Sequence, residues 1–231
     1  MSAGARGCLS DGSWPRLRAA LFTGLMAACA VAAGAHARQP AAQQLLHYDI
    51  EHGVFGKIGN LTNRIERHGE ATTVTSTLRI LVRVAGIVLH REEADRVERW
   101  HGERLAHFRG TTTTNGTSQT VHGESRGGRF HVTTPAGTVA APADICTSNP
   151  WSASFVTCRT ILAVDTGHVE PGEVSGGGEE IIDLNGRIAV VRRYRIEAQK
   201  TRGEVWLDAA GVPAMMTTVR DDEEVVLKRA P

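Results

Sequence analysis

Apolar and polar positions alternate with a period of two through much of the chain. Leu46, Tyr48 and Ile50 alternate with His47, Asp49 and Glu51. Val74, Ser76, Leu78, Ile80, Val82 and Val84 alternate with Thr73, Thr75, Thr77, Arg79, Leu81 and Arg83. Leu105, His107 and Arg109 alternate with Ala106 and Phe108, and Ile188 to Ile196 is another long alternation, with Val190, Arg192 and Tyr194 on one face. Successive side chains of a strand point to opposite faces. One apolar and one polar face therefore predict an antiparallel sheet wetted on one side.

Turn residues divide these runs at intervals of roughly 8–14 residues, a spacing typical of short strands. Asn115-Gly116 and Asn185-Gly186 predict two-residue hairpin turns, whose central positions both need positive φ. Gly127-Gly128, Thr134-Pro135-Ala136-Gly137 and Asp208-Ala209-Ala210-Gly211 predict further reversals. No βαβ alternation is present. One segment differs: Ser148-Asn149-Pro150-Trp151 predicts a helix start, capped by Ser148 or Asn149 with Pro150 in the first turn. Trp151, Phe155 and Val156 would share its inner face. The predicted fold is all-β, a curved antiparallel meander or half-barrel of about a dozen strands, with one short helix.

The N-terminal stretch predicts export. Arg16 and Arg18 precede an uncharged run from Ala19 to Gly34, and Ala35-His36-Ala37 supplies a small-x-small cleavage site. Residues 1–37 thus read as a signal peptide and 38–231 as one β-rich periplasmic or secreted domain. Lipidation at Cys29 is the weaker alternative, because the apolar run continues past that residue. The leader carries Arg6, Arg16, Arg18 and Asp11, so of 26 basic and 25 acidic residues 23 and 24 remain. That near-neutral balance argues against nucleic acid as the main partner. Cys146 and Cys158 are the pair left after cleavage, and an oxidising compartment makes a disulfide their simplest state.

The order of several short motifs resembles an uncharacterised family of secreted proteobacterial proteins, a domain of unknown function. These motifs are Tyr48-Asp49-Ile50, Gly56-Lys57-Ile58-Gly59, Glu98-Arg99-Trp100, Gly102-Glu103-Arg104-Leu105, Thr113-Thr114-Asn115-Gly116, Pro150-Trp151, Asp165-Thr166-Gly167 and Arg193-Tyr194-Arg195. The hairpin Val205-Trp206-Leu207-Asp208-Ala209-Ala210-Gly211-Val212-Pro213 is the most specific. The resemblance implies an exported β protein and brings no catalytic residues. Such proteins are loosely similar to envelope proteins that wrap a curved sheet around a lipid, an analogy of fold.

Candidate chemistry is sparse. His122 and Glu124 would share a strand face, and His101, Glu103 and His107 lie near one turn, but no His-Glu-x-x-His or His-x-His occurs. There is no Gly-x-Ser-x-Gly, and Asp49, Glu98, Asp165 and Asp208 read as turn or surface residues. No catalytic residue, metal or cofactor is assigned. The scarce aromatics carry two readings: each large ring fixes much buried area and anchors the core, or, more sharply, Trp100 and Trp206 line the mouth of a hollow between strands, with Arg192 and Tyr194 inside, the arginine meeting an anionic head group. The sharper reading makes the chain a non-enzymatic envelope protein binding a lipid or another hydrophobic molecule. A periplasmic hydrolase and a structural or assembly partner in the envelope are the alternatives.

Overall fold

The computed structural model describes residues 42–220 and 223–231. The proposed leader, with Cys29, lies outside the described residues. The strands are Ala42–His52 (β1), Gly56–His68 (β2), Ala71–Val84 (β3), Ile87–His101 (β4), Arg104–Thr114 (β5), Thr117–Arg126 (β6), Arg129–Thr134 (β7), Gly137–Pro142 (β8), Cys146–Thr147 (β9), Thr160–Leu162 (β10), Val169–Leu184 (β11), Arg187–Ala198 (β12), Arg202–Leu207 (β13), Pro213–Arg220 (β14) and Glu223–Arg229 (β15). They form one sheet in the order β8-β7-β6-β5-β4-β3-β2-β1-β15-β14-β13-β12-β11-β10-β9. Two meanders meet at the sheet's centre, where β1 pairs antiparallel with β15. β9 and β10 pair in parallel, and the other neighbouring strands run antiparallel.

The hairpin turns form where the sequence placed them. Asn115 and Gly116 have φ of 50° and 88°, and Asn185 and Gly186 have 56° and 78°. Ala85 and Gly86 make a similar turn at φ 49° and 84° without an asparagine to announce it. Leu46, Tyr48 and Ile50 are all buried, as are Val74, Ser76 and Val82, whereas Val84 reaches solvent at the hairpin end. The β5 alternation is corrected by a register shift opposite Arg99/Trp100. This bulge inserts Ala106 as an extra residue, so Leu105 and Phe108 both face the core while His107 and Arg109 face out.

The sheet curls around its own chain. The segment joining β8 to β11 runs across the interior, where Thr147 and Asn149 bond to side chains of β2, β3 and β4. Phe155, from the same segment, meets Tyr194 of β12 edge-on at 6.0 Å. The predicted helix is a single 3-10 turn, Ala153–Thr157, capped by Ser152. Its start moves downstream because Asn149 turns inward to bond and Trp151 packs before the turn begins. Cys146 and Cys158 are joined by a disulfide that brackets this turn, with their Cα atoms 6.0 Å apart.

One large core lines the concave face, and Ile145, Trp151, Phe155, Leu162 and Val164 of the crossing segment belong to it. A second, smaller core lies on the opposite face of β13. Val205 and Leu207 join the main core, while Trp206 packs with Val191 and Ala214 against Ile182, Leu184, Ala189 and Met215. The end of the β11–β12 hairpin covers it: Asn185 Nδ2 donates to the Arg229 carbonyl at 2.8 Å.

Candidate functional site

Glu98 sits at the centre of the interior, fully buried on the inward face of β4. This corrects its reading as a turn or surface residue. Strand parity aims it inward, and donors gather around it from remote segments. Trp100 Nε1 donates to it at 2.9 Å, Thr147 Oγ1 at 3.2 Å and Asn149 Nδ2 at 3.4 Å. Asn149 Nδ2 also donates to Ser76 Oγ at 3.0 Å, and Asn63 Nδ2 donates to Asn149 Oδ1 at 3.4 Å. Burial pushes the Glu98 carboxyl up to about 7, and the hydrogen bonds from Trp100, Asn149, Thr147 and Trp151 hold it from rising further. Three of these four partners come from the crossing segment, so the cluster fastens that segment to the sheet.

The four residues expected to line a ligand hollow do not share one place. Trp100 is buried inside, with its ring 5.8 Å from that of Trp151. Tyr194 faces inward too but packs under Phe155 on the other side of the crossing segment. Arg192 is exposed on that same face of β12. Trp206 is buried on the opposite face, donating through Nε1 to Glu180 at 2.9 Å, with the Arg193 guanidinium 5.3 Å from its ring. A hollow beside the disulfide, between Phe155, Val174 and Ile196, measures about 30 Å³. That is room for about one or two waters and far below what a lipid needs. Strand alternation predicts faces, but it does not show which face the chain's own segment will fill.

The apolar surface that remains lies elsewhere. In a meander, alternate turns fall at the same end, which puts the β1–β2 and β3–β4 turns at one end of the sheet. Val54 and Phe55 in the first, and Leu81, Val84, Ile87, Val88 and Leu89 around the second, are all exposed, Val54 at 80% and Ile87 at 66%. A second exposed aliphatic group, Ile181, Ile188 and Val190, lies on the hairpin that covers the outer core. The sequence carried a signal for the first group, since Val84, Ile87, Val88 and Leu89 crowd a turn that should be polar.

A family model described as "Domain of unknown function (DUF6134)" matches residues 48–230. No curated protein matches the chain. Among solved structures, the chain is similar to a beta-barrel-like protein of domain of unknown function DUF1849 from Brucella abortus. The TM-score is 0.59 at 12% identity, over 82% of this chain and 96% of that one. At that identity the likeness concerns the fold.

Proposed function

This chain belongs to the DUF6134 family, and on that premise we propose that it is a non-catalytic envelope protein that attaches to a lipid surface by its apolar hairpin ends. The observation that carries this reading is the group of seven exposed aliphatic and aromatic residues, from Val54 to Leu89, on and beside two turns at the same end of the sheet. Exposed apolar side chains gathered at one end of a sheet cost hydration free energy and mark protein or membrane contacts. The turns are narrow and project from a rigid sheet, so they can enter the headgroup boundary without unfolding. The Cys146–Cys158 bridge supports an exported location. Apolar transfer drives this contact, because Glu223 and Glu224 at the start of β15 stand beside the β1–β2 turn and disfavour a strongly anionic surface; Glu223 bonds His52 at 2.6 Å.

Flotation with phosphatidylcholine vesicles tests this reading. Burying one aliphatic side chain contributes about 1.5–3 kcal/mol. Ile87→Ser with Val88→Ser should therefore reduce vesicle binding at least about tenfold. The melting temperature should stay near that of the parent, because both side chains are exposed. Salt should have little effect. Absence of vesicle binding, or binding unchanged in the double variant, would overturn the proposal.

A further inference from the structure

The outward face of β4 to β8 carries a different surface. Two cross-strand rows run over it, fixed by register. In the first, Arg99 lies opposite His107, His107 opposite Glu124, and Glu124 opposite His131. In the second, Val97 lies opposite Arg109, Arg109 opposite His122, and His122 opposite Thr133. These residues line a depression of about 680 Å³, with Arg126 at its side. Glu124 is the single carboxylate there, and it stands 3.7 Å from Arg126. Arg99, Arg109, His107, His122 and His131 make no ion pair or side-chain hydrogen bond among the described residues. Elsewhere on the sheet arginines lie against carboxylates, as in Arg79–Asp95, Arg91–Glu93 and Arg193–Glu204.

Arg99 lies directly opposite His107 and Arg109 directly opposite His122, so two pairs of basic side chains face each other with no carboxylate between the partners. Adjacent strands are about 4.8 Å apart, which sets these four donor groups close together on β4, β5 and β6. A bound anion satisfies them. The guanidinium fork of an arginine matches the oxygens of a phosphate, sulfate or carboxylate in pairs, and such charge-assisted bonds are stronger than neutral ones. A spacing of one strand between donors suits anionic groups carried close together on one molecule. The one phenyl ring of the lining, Phe108, is buried. We propose that this depression binds a compact oligoanion, a molecule carrying two or more phosphate, sulfate or carboxylate groups. The ligand chemistry is the same whether the anion is free or forms the head group of a lipid.

Calorimetric titration of the protein with sodium tripolyphosphate at low salt is the direct experiment. Binding should weaken about tenfold or more in Arg109→Ala with His122→Ala, which removes a guanidinium and an imidazole donor. It should also weaken as added salt screens the charges. Arg187→Ala, on the other meander, should leave it unchanged. The exposed double variant should melt at or above the parent temperature, so lost binding cannot be mistaken for lost folding. Vesicles containing phosphatidylglycerol form the second arm. Vesicle binding that tripolyphosphate displaces assigns a lipid head group, and tripolyphosphate binding without vesicle binding assigns a free anion. The site is independent of the hairpin ends: Arg109→Ala with His122→Ala should keep the phosphatidylcholine contact, and Ile87→Ser with Val88→Ser should keep tripolyphosphate binding. Failure of tripolyphosphate to bind the parent protein, or equal binding by the Arg109/His122 variant, would overturn the proposal.

Discussion

Burying a carboxylate costs several kcal/mol unless donors replace its water. Glu98 shows both sides of that balance. Three side chains donate to it within 3.4 Å, yet its carboxyl is still pushed from 4.5 up to about 7. The folded protein therefore holds this proton more tightly than the unfolded chain does. The resulting stabilisation is fully present below pH 4.5 and is lost as pH rises toward 7, where the folded state must also carry the charge. A rise of this size corresponds to about 3 kcal/mol at 1.36 kcal/mol per unit. Glu98→Gln removes the titration, so urea-unfolding free energies measured from pH 4 to 8 should fall less steeply in the variant than in the parent. Identical pH profiles would show that Glu98 is not the group responsible. Nothing local in the sequence announced this residue. Thr147 lies 49 residues away and Asn149 lies 51 away, so the donors that make the position tolerable are invisible until the sheet closes around them.

The crossing segment is the element on which the interior depends. β9 has two residues and β10 has three, too short for ladder bonds alone to hold the path between them. The disulfide and the Glu98 cluster supply the missing constraint. Here the sequence was partly legible. The cysteine pair, the aromatic residues and a short helical turn between them could all be read from residue types. The exact turn could not, because Ser148 and Asn149 both qualify as caps by type. The structure spends Asn149 on the buried cluster and Ser148 on the Val164 amide, leaving Ser152 to cap. A bridge spanning 12 positions restrains the unfolded chain by about 3 kcal/mol in the loop-entropy account. Cys146→Ser with Cys158→Ser should lower the unfolding free energy by about that amount. It should also raise hydrogen exchange first at Ile161 and Leu162, whose partners lie in β9. A double variant as stable as the parent would mean that the Glu98 cluster alone holds the segment.

At the scale of the molecule, local alternation reveals strands and turns but not which strands become neighbours across the chain. Consecutive hairpins account for most of the sheet, which is why a meander was readable from Asn115-Gly116, Asn185-Gly186 and the period of two. Two pairings are exceptions, the short parallel β9–β10 pair and the junction of β1 with β15, which no turn signal encodes. That junction joins two meanders that would otherwise be separate sheets, each with an extra open edge. Its contacts are specific: Tyr48 pairs with Arg229 and Ile50 with Leu227 in the ladder. Lys228 Nζ meets Glu51 at 2.7 Å although the two are 177 residues apart in sequence. Arg229 also holds Asp208 at 2.8 Å, and its carbonyl receives the end of the β11–β12 hairpin. Removing β15 would therefore do more than shorten the sheet. It would leave β1 and β14 as bare edges, take Leu227 from the main core, and release the cover over Trp206. Unpaired edges of this length invite pairing between chains. A chain ending after Arg220 should fail to give a monomer with a cooperative thermal transition, and should elute as soluble aggregates in size-exclusion chromatography. Pairing across so long a separation also carries a large loop-closure cost before any contact compensates it. The intact protein should consequently refold slowly, on the millisecond-to-second scale or longer of non-local β folds. A truncated monomer with native-like near-ultraviolet dichroism would show that each meander holds its own core and that the central junction is dispensable.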